Sequence, residues 1–407
     1  MEQIYRRCAG LDVHKDSVYA AVRIDGQERI EKFGTTSSEL FRLGDWLLEQ
    51  GVTIAAMEST GVYWKPVWNL LEDRLQLMLV NARDMHNVPG RKTDVADCSW
   101  IAQLLEHGLL KPSLVPSRPQ RELRDLTRQR IQLMGERSRI VNRLQKVLED
   151  CNIKLASVAT DITGKSGRAI LDALVEGKLS PAQMAELVHK RMEAKKPRLR
   201  EALSGKVTDH HRFMLHQLLL QLDQLDAMVA TFDRRIDEVM SPLEREAVKT
   251  LDAIPGFHQR TGQVVVAEIG IDMTRFPSDR HLASWAGICP GNNQSAGKRK
   301  GGRVRQANRW LKLALVQAAW AASRTRRSYF NAQHKRLTTR RGVKRATLAV
   351  AHSLLTTVYH VLSDKTPYVD LGVNYFEQRK PDGAQQARKM VEKLRRLGYD
   401  VALTPAA

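Results

Sequence analysis

Hydrophobic positions along this chain follow two different rhythms. Through the first hundred residues they come as short apolar runs and alternations, the mark of strands, separated by stretches of helical spacing. Residues 7–13, 17–24 and 28–33 read as three strands, the last two joined by the turn signal Asp25-Gly26. Ser37 or Ser38 is placed to cap a helix running through Leu40, Leu43, Trp46 and Leu47. Residues 52–57 make a short buried strand ending at Glu58, 61–71 a helix, and 75–80 another apolar strand. A polar, basic loop over 81–92 leads into a helix that starts near Thr93.

From Arg121 the spacing becomes helical and long. Leu126, Leu133, Ile140 and Val147 recur every seven residues, with Met134, Val141 and Leu148 beside them, on a helix rich in Arg. A cleaner case follows: Leu215, Leu218, Leu222, Leu225, Val229, Phe232, Ile236 and Val239 alternate spacings of three and four, which predicts a coiled coil. These helices have two possible partners, each other or a second subunit. Residues 152–208 between them are polar and helix-prone, with a break at Lys195-Lys196-Pro197, and suggest no chemistry. Beyond Glu246, one helix ends at the turn Ile254-Pro255-Gly256 and 261–269 begins another. Residues 282–288 lead into a loop over 289–302, followed by helices near 305–323 and 346–362 and a basic amphipathic tail over 387–397.

At 407 residues the chain is long for a single core. Three divisions suit the pattern: an α/β domain over 1–110, a coiled-coil region with a helical insert over 118–245, and a mainly α domain over 246–407. Apolar content of 43% excludes general disorder. The net charge of +20 changes the picture, because residues 280–363 hold 17 Lys and Arg and no acid. Charge localised in that way is the footprint of a phosphate-binding surface. The four cysteines form no Cys-x-x-Cys pair, so a zinc site or disulfide framework is not expected. No run is apolar enough to suggest a bilayer span, and a cytoplasmic protein without membrane partners is the expectation.

Three strands in a meander, then alternating helix and strand, is the element order of an RNase H-like (RuvC-like) α/β domain. In that sheet the first and fourth strands are neighbours, which would bring Asp12 and Glu58 together. Asp94 and Asp97 lie three apart at a helix start and project from one face. Carboxylates gathered so closely repel one another without a cation between them. Hard divalent ions bridged by such acids supply what phosphodiester cleavage needs: an activated nucleophile, in-line geometry and charge compensation. Taken singly, each acid reads as a surface residue or a cap. His14 lies on the strand face of Asp12, and Tyr63 and Trp64 read either as stacking platforms near Glu58 or as core aromatics. Arg83, His86, Arg91 and Lys92, ahead of Asp94, are positioned to meet phosphates or simply to be solvated.

Residues 287–302 contain five glycines and a ladder of cations around Ser295. Glycines let the backbone approach a ligand, and Lys298, Arg299, Lys300, Arg303, Arg305 and Arg309 favour a phosphate there. A serine hydroxyl is a weak nucleophile unless a neighbour takes its proton, and no acid lies nearby in sequence. On spacing alone Ser295 is a serine in a nucleic-acid-binding loop.

Three N-terminal pieces carry a family resemblance: Gly10-Leu11-Asp12-Val13-His14-Lys15, Met57-Glu58-Ser59-Thr60-Gly61-Val62-Tyr63-Trp64 and Lys92-Thr93-Asp94-Val95-Ala96-Asp97. Downstream come Ile254-Pro255-Gly256 and the stretch from Trp285-Ala286-Gly287 through Gln294-Ser295-Ala296-Gly297-Lys298. In this order they resemble the bacterial insertion-sequence transposases of the "IS one-ten" type, also called DEDD transposases or bridge-RNA-guided recombinases. The resemblance runs over nearly the full chain. It implies a RuvC-like domain whose acids Asp12, Glu58, Asp94 and Asp97 bind magnesium, as two ions, with manganese as a substitute. It implies a coiled-coil connection, a C-terminal transposase domain whose nucleophile is Ser295, and composite sites in a dimer or tetramer. It implies double-stranded donor and target DNA, a bridge RNA as guide, and a bacterial, nucleoid-associated setting. One departure is Ala296, where family members often carry glycine. Rival readings are a RuvC-like, structure-selective endonuclease that uses water and an actin-like kinase, whose glycine-rich loop after the first strand His14-Lys15-Asp16 does not supply. A DNA-binding protein with a decayed site is a third.

Overall fold

The computed structural model describes residues 3–59, 61–81, 94–289, 294–295, 298–299, 304, 307–378 and 383–402, without the side chains of 94–96, 294–295, 298–299, 377–378, 383–386 and 389. The chain forms two compact units, residues 1–117 and 118–407.

In the first unit, β1 (Arg7–Val13), β2 (Ser17–Ile24) and β3 (Gln27–Gly34) form an antiparallel meander. Then come α1 (Ser37–Glu49), β4 (Ile54–Glu58), α2 (Trp64–Leu71), β5 (Gln76–Val80) and α3 (Asp94–Glu106). The strand order is β3-β2-β1-β4-β5, with β1, β4 and β5 parallel. This mixed five-stranded sheet, followed by a mostly helical chain, fits the RNase H-like architecture expected from the element order. The strands fall within two residues of their expected bounds. The first helix is entered through Thr36 rather than Ser37 or Ser38, and no side chain caps it.

Each face of the sheet buries its own set of side chains. Ala9, Leu11, Val13, Met57 and Leu79 pack with α1 and α2 through Leu40, Leu43, Leu47, Val67 and Leu71. The opposite face carries Cys8, Ile54, Ala56 and Val80, covered by Ile101 and Leu105 of α3. This two-sided burial explains why the parallel strands read as apolar runs, whereas the edge strand β3 is largely exposed.

The second unit opens with α4 (Arg118–Asp150). Next come α5 (Leu155–Val158), α6 (Lys165–Glu176), α7 (Pro181–Glu186), a 3-10 turn over Lys190–Lys195 and α8 (Lys196–Ala202). Pro197 sits in the first turn of α8, where its missing N–H costs nothing. The long helix α9 (Asp209–Val239) packs along α4, so the two heptad helices pair within one chain. Leu215, Leu218, Leu222, Leu225 and Val229 of α9 meet Leu133, Ile140, Leu144 and Leu148 of α4, and the insert helices close the same core through Ile170, Leu171, Leu174 and Leu199. The insert is therefore part of the packing of the helical pair. Ser180 and Thr208 both form capping boxes, one with Gln183 and one with His211.

Past Val239 lie α10 (Pro242–Asp252), α11 (Gln259–Ile269) and α12 (Asp279–Trp285). A two-stranded ladder, β6 (Gln294–Ser295) with β7 (Lys298–Arg299), follows. The chain continues through α13 (Arg309–Ala322), α14 (Tyr329–Arg341), α15 (Val343–Asp364), α16 (Tyr375–Gln378) and α17 (Gly383–Arg396). By length and composition α15 would suit a membrane, against the expectation that no segment would. Its Ala346, Val350, Leu354 and Val358 are instead buried in the protein, with α13 and α14 packed on it, as in a core helix.

Candidate metal and serine sites

The acids of the first unit are placed by strand register. The parallel pairing of β1 with β4 runs from Cys8 opposite Ile54 to Leu11 opposite Met57, so Asp12 and Glu58 are next in line at the two strand ends. Residues in register on neighbouring parallel strands point to the same face, with backbones about 4.8 Å apart. That face is the one covered by α3. Gly10, on the same side of β1 as Asp12, lies directly beneath this helix. A Cβ at Gly10 would fall 2.2 Å from the carbonyl oxygen of Cys98 and 2.4 Å from the amide nitrogen of Ala102. Only glycine lets the helix backbone come so near.

The helix runs antiparallel to β1. Its far end brings Glu106 beside Cys8, where burial and then the Glu106 charge push the thiol up to about 12. Its start brings Cys98 close enough to Asp12 for the carboxylate to add to the burial that raises this thiol to about 11. Asp97 precedes Cys98 and is half-buried. Asp94 opens the helix, but its side chain lies outside the described residues. Asp12 is mostly buried, and its Oδ2 meets Nε2 of His14 at 3.0 Å. His14 in turn sits edge-on to Tyr19, the cross-strand partner of Asp12.

The structure thus sets Asp12 and Glu58 side by side and starts the helix of Asp94 and Asp97 at the same end of the sheet. Among the described residues, no three His, Cys, Asp or Glu side chains already converge as a metal cage. The donor set is all hard oxygen, the kind that suits magnesium or manganese. The aromatic pair after Glu58 divides between its two readings. Trp64 packs against the core and edge-on to Trp68, whereas Tyr63 is 41% exposed beside Gly61.

In the second unit Ser295 pairs with Lys298, and Gln294 with Arg299, across the β6–β7 ladder. A loop expected from its glycines is therefore pinned by strand pairing beside the serine. The side chains of Ser295, Lys298 and Arg299 lie outside the described residues, as do Lys300, Arg303, Arg305, Arg83, His86, Arg91 and Lys92 altogether. Arg309 is exposed at the start of α13, its guanidinium 4.8 Å from the Trp310 ring centroid.

Sequence reasoning missed the buried polar row of α4. Gln120, Thr127 and Arg130 are buried there, and Arg130 bonds Asp233 at 2.8 Å and Gln263 at 2.6 Å. It also missed Glu268, which is 0% exposed. A signal existed: Glu268 is the lone charge in the apolar run from Val264 to Ile269.

Comparison with known proteins agrees with this layout. A transposase family model of the DEDD IS110 type matches residues 9–153, and the transposase IS116/IS110/IS902 family model matches residues 248–335. The 43.6 kDa protein of insertion element IS110 from Streptomyces coelicolor is 32% identical over 141 residues, covering 34% of this chain and 32% of that protein. A mini-circle protein of the same organism, named as a transposase for IS117, is 26% identical over 268 residues, covering 59% of this chain and 65% of its own. The 44.8 kDa protein of insertion element IS116 from Streptomyces clavuligerus is 26% identical over 295 residues, covering 63% and 71%. The matched part thus spans about a third of the first of these relatives and about two thirds of the second. The first model covers all four acids and the second covers Ser295. The chain belongs to the IS110-type, or IS one-ten, DEDD transposases.

Proposed function

We propose that this protein cuts and rejoins double-stranded DNA as an insertion-sequence transposase, with Asp12, Glu58, Asp94 and Asp97 as the metal-holding acids and Ser295 as the nucleophile. The observation that carries the reading is the β1–β4 register, which makes Asp12 and Glu58 neighbours on the face that α3 covers. Bound magnesium, as two ions, would supply charge compensation at the scissile phosphate and lower the cost of ionising an attacking hydroxyl.

The chain's own groups do the rest. The acids fix where the cations lie, and His14 holds the Asp12 carboxylate from one side. Lys298, Arg299, Lys300, Arg303, Arg305 and Arg309, with Arg91 and Lys92, would orient the DNA backbone by its phosphates. Ser295 Oγ attacks phosphorus, its proton passes to a carboxylate, and the 3′ oxygen leaves and takes up a proton. The 5′-phosphoserine ester keeps the bond energy. Attack by another strand's 3′ hydroxyl then returns the serine and completes the exchange.

From the family likeness, the reading takes the acids and the serine from different protomers, as composite sites in a dimer or tetramer. Phe213 and Leu220, exposed on α9, support a contact with a second copy. Donor and target DNA as substrates, a bridge RNA as guide and a cytoplasmic setting at the nucleoid follow from the family likeness.

Cleavage of a labelled DNA substrate bearing the element's ends, with its guide RNA and magnesium, tests the proposal. Wild type should cut, Ser295→Ala should not, and chelation should stop the reaction. Cutting at the wild-type rate by Ser295→Ala would give the chemistry to water instead. DNA affinity should fall steeply with salt, and a flat response would remove the electrostatic argument.

A further inference from the structure

Among the described residues only two acids are fully buried, Glu106 and Glu268. Glu106 ties Arg23 and the chain's start to the end of α3. Glu268 sits in the last turn of α11 and has a different set of partners. Arg128 of α4 grips it with both arms of its guanidinium, Nε to Oε1 at 2.7 Å and Nη2 to Oε2 at 2.8 Å. Arg124, one turn earlier, donates to the carbonyls of Ala267 and Glu268 and stands 3.5 Å from the carboxylate. The third partner is Asn308, whose Nδ2 donates to Oε2 at 2.6 Å.

Asn308 is where the chain re-enters helix after the basic stretch that contains Ser295. Its Oδ1 accepts from the amides of Trp310 and Leu311, both at 3.1 Å, and so caps α13. One side chain therefore does two jobs: its oxygen starts the helix and its nitrogen ties that start to Glu268. The Arg128 guanidinium also lies 5.9 Å from the Trp310 ring centroid.

We propose that Glu268 is a positioning residue for Ser295, fixing the C-terminal foot of the serine-bearing segment against α4 through Arg128 and Asn308. The inference rests on the reading that Ser295 is the nucleophile. A buried ion pair contributes little net stability compared with apolar packing of the same volume, so stability alone is a weak reason for this arrangement. A bidentate Arg–carboxylate pair does constrain orientation, in a way that apolar contacts do not. Reacting atoms held about 1 Å out of place cost up to about a hundredfold in rate. The α4 partners of this brace come from the first three turns of that helix.

The test separates capping from positioning in the full-length protein. N308D keeps an oxygen to cap α13 but sets a second carboxylate against Glu268. E268Q keeps size and shape but loses the charge that Arg128 grips. The double variant E268Q/N308D exchanges donor and acceptor and restores the bond between the two positions. Rates of serine–DNA adduct formation are measured in single turnover on a cleavable substrate with magnesium and guide RNA. DNA affinity, thermal midpoint and hydrogen exchange at the Trp310 and Leu311 amides are measured alongside. Each single variant should lose at least about tenfold in adduct rate. DNA affinity should stay within about twofold and the α13 amides should stay protected. The double variant should recover above both singles. Should E268Q fold poorly, Arg128→Lys keeps the charge, loses the fork and should show the same rate loss.

Single variants at the wild-type rate, or a loss that only tracks the fraction folded, would overturn the positioning role. So would a double variant no better than the worse single. Absence of an adduct in wild type itself is a different failure, because it removes the Ser295 reading and this role together.

Discussion

The two units fix their chemistry by different means. In the first, one run of parallel pairing places two acids at once: Leu11 opposite Met57 leaves Asp12 and Glu58 as neighbours at the strand ends. In the second, Ser295 lies in a two-residue ladder between helices, and the buried Glu268 is tied to Asn308, downstream of that ladder, and to Arg128. Sheet register is a coarse device that is hard to perturb, because a slip by one residue would turn every side chain to the wrong face. A polar brace is finer and more fragile, since losing one partner strands a buried charge. The comparison suggests that metal-site variants should act on chemistry, and that brace and packing variants should act on geometry or stability.

The largest effect should come from the acids. Glu58→Gln or Asp12→Asn should lower metal-dependent cleavage by about a thousandfold or more while leaving the fold intact. Circular dichroism and a cleavage assay check this, and near-normal cutting would detach these acids from the reaction. Gly10→Ala tests whether the close approach of α3 matters. The added methyl meets the backbone of Cys98 and Ala102, so α3 must move. A loss of about 3 kcal/mol, with faster hydrogen exchange in α3, is expected in thermal or denaturant unfolding.

Leu222→Ala probes the helical pair instead. This residue is 2% exposed at the α4–α9 seam, and truncation should cost about 2–5 kcal/mol with no direct effect on the acids. A cost below about 0.5 kcal/mol would mean that the seam is not a core.

The smallest effect concerns acidity. Arg168 holds the Asp223 carboxyl below its usual range, and Thr163 does the same for Asp161. Both carboxyls are lowered on folding, so their contribution is present above the unfolded value near 3.8 and is lost as pH falls through the folded values. Both groups are near the surface, so the loss should stay within about 1 kcal/mol for each. Urea midpoints of Asp223→Asn and wild type should converge in that acid range; a difference that persists there would point to packing rather than charge.

Legibility in the sequence follows the same division. The parallel strands of the first unit declared themselves because both faces are buried, which gives short apolar runs bounded by turns. The adjacency of Asp12 and Glu58 could be foreseen from element order alone, since that order implies the β1–β4 pairing. The seam of α9 was legible for the same reason, as an unbroken apolar row. Its partner was not, because heptads do not distinguish a helix of the same chain from one of another. The front of α4 was misjudged: the row Leu126, Leu133, Ile140 and Val147 is only half the story, since Gln120, Thr127 and Arg130 are buried in the same helix. Apolar periodicity cannot reveal a polar seam. Helix α14 escaped notice because its cations and hydroxyls mask its few buried positions, Phe330 and Asn331. The Glu268 brace depends on partners 140 and 40 residues away in sequence, a spacing that no local pattern records.

The most direct measurement is mass spectrometry of peptide–DNA adducts trapped during the reaction with magnesium, substrate DNA and guide RNA. The account predicts a single 5′-phosphodiester linkage on the peptide bearing Ser295, present in wild type and absent in Ser295→Ala and Glu58→Gln. Efficient strand exchange with no adduct on that peptide, or with the adduct on another residue, would contradict it.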